Sequence, residues 1–127
     1  MISSIGMNAE SDNATPCYFL LPLTYNDGTR VEKELRENIE TAIFVEFGGW
    51  RITDTRRGGY LRTDNGLRQV EITQRIRVDV KGGEKQINRL REMVREFGVW
   101  LDQETMHFEI DYGSKVEFLL TTKGGGK

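Results

Sequence analysis

From Val70 to Val80 the chain alternates. Val70, Ile72, Ile76, Val78 and Val80 fall on one side, and Glu71, Thr73, Arg75, Arg77 and Asp79 on the other. A period of two is that of a strand with one buried face and one wet face. A helix cannot satisfy it, because side chains two apart point to different sides of a helix. Gly82-Gly83 ends the run, and a shorter alternating segment, Trp50 to Thr55, precedes it with Trp50 and Ile52 on one side. Arg56-Arg57-Gly58-Gly59 and Thr63-Asp64-Asn65-Gly66 lie between the two. Both are turn signals, so a long or bulged hairpin is expected.

An amphipathic segment flanks this hairpin on each side. Val31, Leu35, Ile39, Ala42, Ile43 and Phe47 recur at three and four, with Glu32, Lys33, Glu34, Arg36 and Glu37 opposite, and Gly48-Gly49 closes the helix. Thr29 with Glu32 fits a capping box at its start. Ile87, Leu90, Met93, Val94, Phe97 and Leu101 make the second stripe, and Gly98 falls either inside that helix or at its end near Phe97. Outside the helices, Cys17 to Tyr25 is apolar at odd and even positions, which suits a central strand covered on both faces. Pro22 fits only if that strand bulges or ends near it. Tyr25-Asn26-Asp27-Gly28 is a turn, Thr105 to Tyr112 a fourth strand with Met106, Phe108, Ile110 and Tyr112 inward, and Val116 to Leu120 a short fifth.

The order is therefore β-α-β-β-α-β with an extra C-terminal edge strand. Each helix has one apolar stripe, so both cover one face of a single antiparallel sheet, the ferredoxin-like α+β sandwich, with the first and third strands central. Residues 1–15 read as a flexible leader, 16–121 as one domain, and 122–127 as a flexible tail.

Tyr25-Asn26-Asp27-Gly28, Phe47-Gly48-Gly49 and Gln103-Glu104 ahead of Phe108-Glu109 resemble small stand-alone bacterial proteins of ferredoxin-like fold that lack an assigned activity. The resemblance spans Tyr18 to Leu120 and implies fold, not function.

The open sheet face is where chemistry is expected. His107, Glu109 and Asp111, two apart on one strand, point the same way about 6–7 Å from one another. They are the candidate acid–base or metal-binding set, although the spacing is long for a shared ion and no metal is assigned. Arg75, Arg77 and Arg51 are the candidates for holding a small anionic ligand. Cys17 and His107 pair as nucleophile and base only if the first and fourth strands place them at one height. No cofactor is implied, because no Gly-Gly pair is followed by the Lys-Ser/Thr of a phosphate loop.

Net charge of −2 removes any global field for nucleic acid. Arg56, Arg57, Arg62, Arg68, Arg75 and Arg77 cluster around the hairpin, but the third strand has no aromatic on which to stack a base. Contact with nucleic acid is therefore the weakest of three readings. A single cysteine, no apolar run after a basic start and no stretch of about 20 apolar residues point to the cytoplasm and away from membranes. The leading reading is a non-enzymatic binding module that homodimerises through its sheet, because large apolar side chains on an open face need a cover. The alternative is a small enzyme or metal-dependent protein acting on an anionic substrate at that face.

Overall fold

The structure, a computed structural model, describes residues 14–61 and 68–122. The expected leader up to residue 13, the Thr63–Gly66 turn with Arg62, and the tail from 123 lie outside the described residues. Strand β1 is Thr15–Pro22, helix α1 Lys33–Phe47, β2 Arg51–Leu61, β3 Arg68–Val80, α2 Glu84–Trp100, β4 Thr105–Ile110 and β5 Lys115–Leu120. The strands form one antiparallel sheet in the order β2-β3-β1-β4-β5, with β1 and β3 inside the sheet as expected.

Both helices cover one face. Cys17, Phe19, Leu21, Ile76, Val78, Val80, Met106, Phe108 and Leu119 point to it from four strands and meet Ile39 and Ile43 of α1 and Leu90, Val94 and Phe97 of α2 in one core. Alternation then fixes the other face: Tyr18 and Leu20 of β1, Arg75, Arg77 and Asp79 of β3, and His107 and Glu109 of β4. The helix stripes and the β3 alternation were read correctly because each is a local period.

Three local expectations fail: the turn at Arg56–Gly59, the cap at Thr29 and the run of the fourth strand to Tyr112. Arg56–Gly59 is not a turn. It continues β2, where Arg56 pairs with Thr73 and Gly58 with Glu71, and β3 supplies the partner that the segment lacks in isolation. Thr29 does not cap α1. Asp27 Oδ1 accepts hydrogen bonds from the Thr29 amide (3.0 Å) and hydroxyl (2.7 Å), and a Thr24–Arg30 bridge makes the segment a small hairpin, so the helix starts at Lys33. Helix α2 takes the first of the two places expected for Gly98 and runs through it to Trp100; only a residue without a side chain fits there, since a Cβ would lie 2.5 Å from Thr121 Cγ2 and 2.7 Å from Met106 Cγ. Finally, β4 stops at Ile110, and Asp111 (φ 55°) and Tyr112 (φ 58°) turn in the left-handed region. Pro22 is accommodated by the second of its two expected routes. It is the last residue of β1, beyond the part of that strand that pairs with β4.

Candidate functional site

The centre of the open face is built around Tyr18. Its neighbours across the two ladders are Arg77 on β3 and Glu109 on β4, and Arg75 lies opposite Leu20. The Arg75 guanidinium lies over the Tyr18 ring, its Cζ 3.7 Å from the centroid, and its Nη2 donates to Glu109 Oε1 at 2.6 Å. Arg75 therefore bridges two strands that do not touch, and its stem and head leave Tyr18 only 3% exposed. This resolves how an aromatic can stand on the face without helices: arginine covers it.

Glu109, 8% exposed, engages both oxygens. Oε1 takes Arg75 and Oε2 lies 2.7 Å from His107 Nε2. Burial works to raise the Glu109 carboxyl. The hydrogen bonds from Arg75 and His107 outweigh it and hold the group below the usual carboxylate range. In the tautomer with its proton on Nε2, His107 donates to the ionised Glu109 and Nδ1 carries the lone pair. His107 also stands edge-on to Phe118, 5.4 Å between centroids, so the carboxylate and the aromatic together orient the ring. Arg75 Nε is buried and has no hydrogen-bond partner among the described residues. The cluster thus offers one oriented imidazole and one carboxylate kept charged.

The three acidic and basic candidates of β4 therefore separate. His107 and Glu109 meet, whereas Asp111 leaves the strand in the left-handed turn and is exposed, so the expected i, i+2, i+4 row is corrected to a pair. Among the described residues, no three His, Cys, Asp or Glu side chains come together to hold a metal ion. Tyr112, expected inward, instead comes round on the open side, 6.4 Å from the Tyr18 ring, and its hydroxyl accepts from Arg77 Nη2 at 3.4 Å. Cys17 cannot meet His107: it is in the core, across the sheet from the imidazole, and burial pushes its thiol up to about 12.

The three ligand-binding candidates divide as well. Arg75 turns toward Tyr18 and Glu109. Arg77 Nε donates to Asp79 Oδ1 at 2.8 Å, and Arg77 lines a cleft with Arg51 at the other end of the face. Sequence reasoning missed Tyr18 and Tyr112 as site residues. The signal for Tyr18 was present, an aromatic in an otherwise aliphatic strand, but the register that sets it under Arg75 was not.

No protein-family model and no curated protein matches the chain. Two solved structures do share its fold. A phage SAM lyase in complex with S-methyl-5'-thioadenosine superposes with a TM-score of 0.65 at 17% identity, covering 86% of this chain and 91% of the other. A phage SAM lyase in the apo state gives 0.63 at 17% identity, over 84% and 89%. At that identity the likeness shows fold. Among the described residues, no helix is long and apolar enough to cross a membrane.

Proposed function

We propose that the chain is a small enzyme that works at the open sheet face on an adenosyl sulfonium, of which SAM is the type. The observation that carries this is the His107–Glu109 pair, 2.7 Å apart on the open face, with Nε2 on the carboxylate and Nδ1 left as an acceptor. Fold likeness over most of the chain to two SAM lyases supports the choice of substrate, although one fold hosts many chemistries.

Conversion of SAM to S-methyl-5'-thioadenosine breaks the bond from sulfur to the four-carbon amino-acid fragment. The sulfur keeps the bonding pair and becomes a neutral thioether. The carbon it leaves is satisfied within the substrate, by ring closure of the substrate's carboxylate oxygen or by loss of a neighbouring proton to His107 Nδ1. A Glu109 carboxyl held below its usual range is a weak base, so its role is to orient the imidazole and to favour a cation nearby. Incubation with SAM is expected to release S-methyl-5'-thioadenosine, seen by chromatography, and His107→Gln and Glu109→Gln to lower turnover by about 10²-fold or more. Identification of the four-carbon product separates the two routes. If the wild-type chain neither binds SAM in calorimetry nor releases product, the reading fails.

A second reading, association of copies through the sheet, has an observation of its own. Val116, Phe118 and Leu120 of the edge strand β5 stand on the open face, and Phe118 is 68% exposed. An apolar strip beside an unpaired strand edge is self-complementary about a two-fold axis, which suits a second copy of this chain.

A further inference from the structure

The geometry points to a second binding site, a cleft that takes an oxyanion carried on a flat ring. It lies where α1 ends and β2 begins, at the margin of the open face, and measures about 310 Å³. Its lining is Phe47, Trp50, Arg51, Arg77, Asp79 and Lys81, with the bare backbone of Gly48 and Gly49 between the two aromatics. That volume is at the small end of the range that holds a small molecule.

Charge decides the ligand class. Three cations face one carboxylate, and that carboxylate is already taken by Arg77 Nε at 2.8 Å. Arg51 and Lys81 have no acidic partner among the described residues, although both are exposed beside the cleft. Two uncompensated cations on one rim attract an anion, and a guanidinium next to an ammonium suits phosphate or carboxylate oxygens. The aromatics decide the rest. Phe47 and Trp50 are only half-buried, packed against the core on one side and lining the cleft on the other. An aromatic wall beside cations is a surface on which a planar ring stacks. Left-handed Gly48 (φ 87°) supplies the sharp exit from α1.

This site is distinct from the imidazole cluster. Arg77 touches both, holding Asp79 at the cleft and Tyr112 at the cluster, so occupancy of one site bears on the other through a single side chain.

Trp50 is one of two tryptophans and serves as the reporter. In Trp100→Phe, its emission is titrated at low ionic strength with inorganic phosphate, adenosine and adenosine 5'-monophosphate. The monophosphate is expected to bind at least about tenfold tighter than adenosine, a difference of about 1.4 kcal/mol, and tighter than phosphate alone. Arg51→Gln/Lys81→Gln, which alters only exposed side chains, is expected to erase that preference. Glu109→Gln, which disables the proposed sulfonium site, is expected to retain it. Equal affinity for adenosine and its monophosphate, no change in emission with any probe, or an unaltered preference in the double variant would overturn the site. Equal affinity for phosphate and the monophosphate would overturn the part assigned to the ring.

Discussion

Gly98 shows how much one residue decides. A mid-helix glycine ordinarily costs about 1 kcal/mol against alanine, so its place in α2 needs a reason. The reason is the Thr121 methyl and Met106 chain, 2.5 and 2.7 Å from where a Cβ would stand. Thr121 cannot swing aside without loss, because its hydroxyl donates to the Gln103 carbonyl at 2.6 Å. Overpacking of this kind costs about 1–3 kcal/mol and exceeds the propensity gain. Gly98→Ala is therefore expected to lower the urea midpoint with an unchanged slope, a net loss of about 1 kcal/mol. In the sequence this glycine read as either an interior residue or a stop. Its meaning depends on two residues that arrive from further along the chain.

At the scale of elements, α2 is tied to the edge of the sheet by one arginine. Arg91, 9% exposed, donates from Nε and Nη2 to the two Glu117 oxygens of β5 at 2.8 and 2.9 Å, and from Nη1 to Glu84 at 2.7 Å. The Arg91 hydrogen bonds hold Glu117 below the usual carboxylate range, and Glu117 and Glu84 hold the guanidinium more firmly charged. Removal of Arg91 leaves a half-buried carboxylate unpaired. Arg91→Ala is expected to cost about 1–3 kcal/mol, whereas Glu84→Ala, at a side chain 68% exposed, costs under about 0.5 kcal/mol. The pH dependence follows from the sign of the shifts. Glu109 and Glu117 both titrate lower folded than unfolded, so their stabilisation is complete above the unfolded carboxylate value of about 4.3 and disappears as pH falls through their folded values. Thermal melts from pH 7 to pH 2 are expected to show that loss, with a shallower fall in Glu117→Gln. Equal slopes in the two proteins would remove Glu117 from the account.

For the whole molecule, the open face is the question. Its apolar area was expected along the central strand, yet Tyr18 is sealed under Arg75, and the exposed apolar side chains stand on β5 instead. If copies associate there, light scattering at tens of micromolar reads twice the monomer mass, and Phe118→Lys returns the monomer. A monomeric wild type at that concentration removes the association and leaves the enzyme reading untouched.

The order and type of the elements were legible in the sequence, because periods of two and of three to four are local properties of the chain. The β3 alternation, the two helix stripes and the Gly48 stop stand where they were read. The site was legible only in part. His107, Glu109, Arg75, Arg77 and Arg51 were named from residue type and side of strand, and alternation puts them on one face. Their partners depend on lateral strand order and on register, which no window of sequence contains. Arg75 reaches Glu109 because β1 separates β3 from β4 by one strand and offers Tyr18 as the surface to cross. Asp111 drops out because the chain turns left-handed immediately after Ile110. Sequence by itself determined which side chains of β3 face away from the helices, and left the phase of β1 and the place of Tyr112 to the fold. Tertiary structure decided which of them meet, since contacts between residues far apart in the chain are set by the packing of whole elements.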